Sequence, residues 1–204
     1  MADSKFETKK HILGSGKIHI TEFTGTLPES FDDFFAADDN VFGAVKGGAE
    51  LEYSVDVFED QSDLGEVKIK EITAEKVLLR SGLMTLNGET FKVLCETAEV
   101  TTDETTGRVT IKIGGLSKKK DTRYIVGFEH YSKKIRIIII GHNTSGFTIS
   151  FKQDAATVVD VEFAAEPLDD TGTLIIIEDL RYETSTTNVQ ARTAAKTTSK
   201  DSLL

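Results

Sequence analysis

The stretch Lys134–Asp179, KIRIIIIGHNTSGFTISFKQDAATVVDVEFAAEPLDDTGTLIIIED, decides the fold class. It reads as three β-strands joined by two turns. Ile135–Ile140 is apolar on both faces apart from Arg136, and Leu174–Ile177 is apolar on both. Between them, Val158–Glu166 alternates: Val159, Val161 and Phe163 point one way, Asp160, Glu162 and Glu166 the other. Strands apolar on both faces are covered on both sides, so a helix or a neighbouring subunit is expected over the second face. The stretch carries no catalytic constellation.

Upstream the pattern is again strand-like. Lys17–Phe23 follows the turn Gly14-Ser15-Gly16. In Ala49–Phe58, Leu51, Tyr53, Val55 and Val57 alternate with Glu50, Glu52, Ser54 and Asp56. Asp63-Leu64-Gly65 reads as a turn tip, and Glu66–Ile72 returns with Val67 and Ile69 against Lys68 and Lys70. The two runs form a long hairpin whose polar faces carry opposite charges, which favours cross-strand pairing. Val77–Arg80, Leu83–Leu86, Arg108–Gly114 and Arg123–Tyr131 are further strands. One helix stands out: Asn87 caps it, and Phe91, Leu94, Cys95 and Ala98 recur at helical spacing. Ser30, Asp33, Phe31, Phe34 and Phe35 fit either a short helix or a packed loop. The chain is mainly β with one clear helix, a sandwich or partly open barrel.

Composition narrows the function classes. The 204 residues suffice for one domain with a real core. The net charge of −10 disfavours tight binding to phosphates, which calls for a basic patch. One cysteine excludes a disulfide framework and a cysteine zinc site. Residues 1–10 are polar without an apolar signal core, and apolar runs such as Ile137–Ile140 are far too short to span a bilayer. Synthesis in a cytoplasm and no membrane partner are expected. Residues 184–204 hold nine Ser/Thr and little apolar area, so a flexible tail is expected there and a flexible segment at 1–10, around one domain spanning 11–183.

Catalytic readings are weak. His11, His19, His130 and His142 lack partners at metal-binding spacing. Gly14-Ser15-Gly16 and Gly47-Gly48 lack the phosphate-loop pattern and read as turns entering strands. Cys95 on an apolar helix face reads as a small buried hydrophobe. Paired acids on the polar faces of strands stay ionised, whereas acid catalysis needs a buried carboxyl. Neither an enzyme nor a cofactor site is expected. Charge is segregated, however. Glu50–Glu66 has seven acids and no base, and Lys118–Arg136 has seven bases against Asp121 and Glu129. Such ends suit head-to-tail contacts between subunits as well as they suit ordinary solvation.

Four blocks in this order resemble the major tail tube proteins of long-tailed bacteriophages and phage-tail-like particles: HILGSGKIHITEFTGTLP, AVKGGAELEYSVDVFED, LLRSGLMTLNGETFKVLCETAEV and IIIIGHNTSGFTISFKQDAATVVDVEFAAEPLDDTGTLIIIEDL. The resemblance spans roughly residues 11–180 and rests on order and combination. It implies two packed antiparallel sheets flanked by one α-helix, with a long β-hairpin arm reaching a neighbour. It further implies hexameric rings whose inner sheets join into a barrel, stacked into a tube that conducts DNA without gripping it.

Implied partners are copies of the chain, a tape-measure protein, tail terminator and tail-tip or baseplate proteins. The implied location is the virion tail, assembled in the host cytoplasm. On this reading the candidate lumen-facing acids are Asp160, Glu162 and Glu166, or Glu50, Glu52 and Asp56. The candidate subunit interface is Ile135, Ile137, Ile138, Ile139, Ile140, Leu174 and Ile176. Candidate inter-ring contacts are Asp60, Asp63, Leu64, Lys118, Lys119 and Lys120. The competing class is a carbohydrate- or ligand-binding β-sandwich module of a phage or cell surface, which expects exposed aromatics on one face; the chain has no Trp.

Overall fold

The computed structural model describes residues 14–61, 68–149, 151, 153–154 and 156–182. Among the described residues, nine strands and two α-helices follow one another as β1 (Gly16–Glu22), α1 (Phe31–Ala36), β2 (Val41–Gln61), β3 (Lys68–Leu83), α2 (Gly88–Leu94), β4 (Glu99–Thr102), β5 (Val109–Lys112), β6 (Tyr124–His130), β7 (Ile135–Asn143), β8 (Val159–Glu166) and β9 (Ile176–Asp179). The fold is mainly β, with a large antiparallel sheet and a small one made by β4 and β5.

The large sheet closes on itself. Its order is β6-β1-β2-β3-β8-β7-β9, and β6 also pairs with β7. Tyr124–Glu129 lie opposite Gly141–Arg136 in that closing ladder. Six strands therefore form a barrel. Strand β9 sits beside β7 where β8 has ended: Ile140–Asn143 pair with β8, and Ile135–Ile138 with β9. The sequence pattern explains the closure, because odd positions of β7 and β8 fill the interior. Ile139, Val159, Val161 and Phe163 join Ile18, Val77, Leu79, Leu83, Val126 and Phe128 in one core cluster.

The outer wall of β6 and β7 carries an apolar patch too, next to His19 of β1, and α1 covers it. His19, Gly127 and Ile138 stand side by side across these strands. Phe34 and Phe35 of α1 pack there with Ile125, Ile138 and Ile140. Gly127 permits the close approach: a Cβ at that position would lie 2.6 Å from the Phe34 ring and 2.8 Å from that of Phe35. Ser30 caps α1, its Oγ accepting from the Asp33 amide at 3.4 Å, so the capping spacing produced a helix and not a loop. The helix expected around Phe91 is α2, capped by Asn87, whose Oδ1 accepts from the Thr90 amide at 2.8 Å. It lies against one end of the barrel, where Asn143 Nδ2 donates to the Leu94 carbonyl at 2.9 Å.

Strands β2 and β3 are single long elements. The Gly47-Gly48 pair, expected to be a turn entering a strand, is a bulge inside β2: the register skips from Lys46 to Ala49. Both glycines are left-handed, φ 88° and 83°, which residues with a Cβ adopt at a cost. Beyond the barrel the two strands continue as a hairpin arm, paired out to Gln61 and Lys68. The expected tip at Asp63-Leu64-Gly65 and both expected terminal segments lie outside the described residues.

Phe163 is fully buried in the barrel interior. Its truncation to alanine should destabilise the protein by about 3–5 kcal/mol. Urea denaturation checks this, and a loss under about 1 kcal/mol would show that the barrel interior is not the cooperative core.

Candidate functional site

Two surfaces stand out, an acidic wall and the arm. Arg80 of β3 lies directly opposite Glu50 of β2 on one side and Glu162 of β8 on the other. Its Nε donates to Glu162 Oε2 at 2.6 Å, and its Nη1 reaches Glu52 and, at 3.5 Å, Glu50. The two acidic faces that the sequence offered as alternatives are thus one outward wall across three adjacent strands. Asp160 continues it opposite Gly82, and Glu166 extends it to His142, 2.9 Å away, and Arg123, 3.5 Å away. Asp56 lies farther along β2, on the arm, opposite Ala74. Hydrogen bonds donated to Glu52 first, then to Glu162, hold the Arg80 guanidinium above its usual pKa. Sequence reading missed Arg80. Its signal was a single charge in VLLRSGL at the hairpin position facing Glu50.

The proposed isoleucine interface needs correction. Ile138, Ile139 and Ile140 are completely buried within the chain, Ile139 in the barrel and the other two under α1. The cover for the second face comes from the chain's own helix. Ile135, Ile137, Leu174 and Ile176 are half-buried, and the large exposed side chain of this region is Ile177.

The arm is an uncovered apolar surface. Leu51 and Leu79 pair at the barrel rim, where both pack on the core. Alternation carries the same face outward through Tyr53, Val55 and Val57, with Ile72 opposite Val57. These four are exposed, Tyr53 at 57% and Ile72 at 63%. The opposite face adds Phe58 and Ile69 toward the end, beside Asp60, which pairs with Ile69.

The lysine run sits at the other end of the molecule. Strand β3 enters the barrel from the arm and leaves it toward α2. Lys118 and Lys119 bridge to Glu99 at 2.8 Å and Glu96 at 3.3 Å, beyond α2, and the Lys120 amide donates to the Glu96 carbonyl. Asp60 and Lys118–Lys120 are therefore at opposite ends, while Asp63 and Leu64 lie outside the described residues.

A recess of about 650 Å³ beside α2 is lined by Tyr124, Glu22, Glu89, Glu96, Lys92 and His142, among others. Burial first, and then Glu22, Glu89 and Glu96, push the Tyr124 phenol up. Cys95 is half-buried against the barrel core, and burial raises its thiol pKa. Among the described residues no group of three or more His, Cys, Asp or Glu could hold a metal ion. No described helix is long and apolar enough to cross a membrane.

No protein-family model matches the chain, and no curated protein does. Among solved structures the chain is similar to the tube-terminating cap of the anti-feeding prophage, at 11% identity over 88% of this chain and 99% of that one, TM-score 0.44. It is also similar to the sheath/tube terminator of the extracellular contractile injection system PVC, at 13% identity over 83% and 99%, TM-score 0.41. A chain of the extended PVC sheath-tube complex matches at 11% identity over 84% and 94%, TM-score 0.41.

Removing Arg80 leaves three carboxylates facing one another. Arg80→Ala should lower the melting temperature at low salt, and the gap to wild type should narrow as salt screens the repulsion. A gap independent of salt would mean that Arg80 acts through packing.

Proposed function

We propose that this chain is a non-catalytic structural subunit of a phage-tail-like tube, forming six-membered rings that stack and leave a lumen through which DNA passes. The observation that carries the reading is the arm. A two-stranded ribbon with Tyr53, Val55, Val57 and Ile72 exposed on one face is marginal in water and calls for a protein surface to cover it. The order of sequence blocks that resembles tail tube proteins supports another copy of the chain as that surface. The placement of Asp60 and Lys118–Lys120 at opposite ends supports head-to-tail stacking. The wall formed by Glu50, Glu52, Asp160, Glu162 and Glu166 supports a lumen that repels phosphates, since confinement between low-dielectric walls strengthens the field of each ring. Tape-measure, terminator and tail-tip or baseplate proteins are the further partners on this reading, and the virion tail, assembled in the host cytoplasm, is its location. The scatter of the exposed aromatics favours it over a sugar-binding module. Tyr53 and Phe58 point to opposite faces of the arm, Tyr131 lies between β6 and β7, and Phe151 between β7 and β8.

Negative-stain microscopy and sedimentation across a wide concentration range test the assembly. Wild type should form rings or tubes. The triple variant Tyr53→Ser, Val57→Thr, Ile72→Thr should stay monomeric with an unchanged melting temperature, because these side chains are exposed in the protomer. A wild-type protein that remains monomeric even when seeded with tail tips sinks the proposal. For the lumen, Asp160→Lys is the cleaner probe, since Glu162 is committed to Arg80. Tails should assemble and DNA ejection should slow, more so at low salt. Normal ejection would place Asp160 away from the DNA path.

A further inference from the structure

His19 is buried on the outer wall of β1, with 1% of its surface exposed. Neither ring nitrogen has a hydrogen-bond partner. The imidazole meets the Phe35 ring edge-on at 5.2 Å and lies 6.2 Å from that of Phe34. Above it is α1, a short helix of six residues. An unpartnered polar ring under two phenylalanines costs free energy even when neutral, and far more when charged.

We propose that α1 is an acid-released cover: protonation of His19 lifts α1 from the barrel wall and exposes the apolar surface of Ile125, Ile138 and Ile140. The charges facing His19 leave a new cation poorly compensated. Lys17 comes from β1, Lys133 from the β6–β7 turn and Arg136 from β7, and all three disfavour it. Glu129 of β6 favours it but is already bound to Arg136 at 3.2 Å. Asp32 of α1 is also taken by Arg136, and Glu178 of β9 lies 3.7 Å from the same guanidinium. His130 and Asp38 line the recess beside His19. Burial chiefly lowers the His19 pKa below its usual 6.5. The covered state therefore binds a proton less readily than an opened one. Its stability is fully present above about pH 6.5 and declines as pH falls toward the lowered value. Opening α1 returns the His19 ring to water and relieves the penalty. What holds it are the packing of Phe34 and Phe35, the bond from Asn40 Nδ2 to the Phe34 carbonyl at 2.9 Å, and Arg136, which binds Asp32 and stacks 4.9 Å from the Phe35 ring.

Hydrogen exchange at pH 7.5 and 5.5 tests this, with peptides covering residues 135–143 as the internal reference for intrinsic exchange. Protection of residues 31–37 should fall several-fold at the lower pH relative to that reference, up to about tenfold, the limit set by one pH unit of proton linkage below 6.5. In His19→Phe and His19→Gln, which do not titrate, the relative protection should not change with pH. An unchanged wild-type protein overturns the proposal, and so does the same fall in the variants, which would place the switch on the carboxylates. If neither variant folds, an NMR titration of wild-type His19 decides: its midpoint must lie below about 6.5, and an equal or higher midpoint overturns the proposal.

Discussion

The ladder that joins Tyr124–Glu129 of β6 to Arg136–Gly141 of β7 turns a six-strand sheet into a barrel, and the rest of the molecule answers to that closure. A closed wall has no free backbone edge to satisfy, but it has two faces. The inner face is filled by alternate side chains from all six strands, ending on Phe163, Leu79, Val126 and Ile139. The outer face cannot be covered everywhere by one short helix. The chain divides it. On β6 and β7 the wall carries the apolar patch of Ile125, Ile138 and Ile140, which lies under α1 beside buried His19, Glu129 and Arg136, and on β2, β3 and β8 it is charged and meets solvent.

The same closure explains why the arm is exposed. Strands β2 and β3 run 21 and 16 residues, far longer than their barrel neighbours. While they are in the wall, their inward residues are core. Once they outrun β1 and β8 the alternation persists, but there is no interior left to receive it. Tyr53, Val55 and Val57 are core-type residues without a core. That mismatch between pattern and surroundings directs attention to the arm more strongly than its shape does.

Much of this was legible in the sequence, for a physical reason. Period-two alternation fixes which residues share a face, so Glu50 with Glu52 and Asp160 with Glu162 were grouped correctly. Alternation carries no information about which strands are neighbours, and so the two groups read as rivals when Arg80 in fact bridges them. The doubly apolar run Ile135–Ile140 correctly demanded cover on both faces. Its source stayed open between a helix and a neighbouring subunit, and these isoleucines were offered as a candidate subunit interface, because Phe34 and Phe35 lie about a hundred residues earlier, in a segment readable as loop or helix. Gly127 was the overlooked signal: a glycine amid a buried strand marks a close approach, here of two aromatic rings.

Two arginines organise the two halves of the wall, and their surroundings give them different work. Arg80 stands among Glu50, Glu52 and Glu162 with its side chain 35% exposed, so water and salt share in solvating it. Its pairs hold the strands' charges in order more than they hold the fold together. Arg136 also faces three acids, but it is buried with Glu129, and Asp32 ties it to α1. Breaking a buried pair strands the partner's charge, at roughly 3–5 kcal/mol, so Arg136 is not replaceable in the way Arg80 is. The helical cover over Ile125, Ile138 and Ile140 is thus tied to one buried cation, close to the buried His19. The acidic wall depends on an exposed one and tolerates change in its surroundings. A chain built this way keeps its covered half inside its own fold and leaves its charged half and its arm facing solvent.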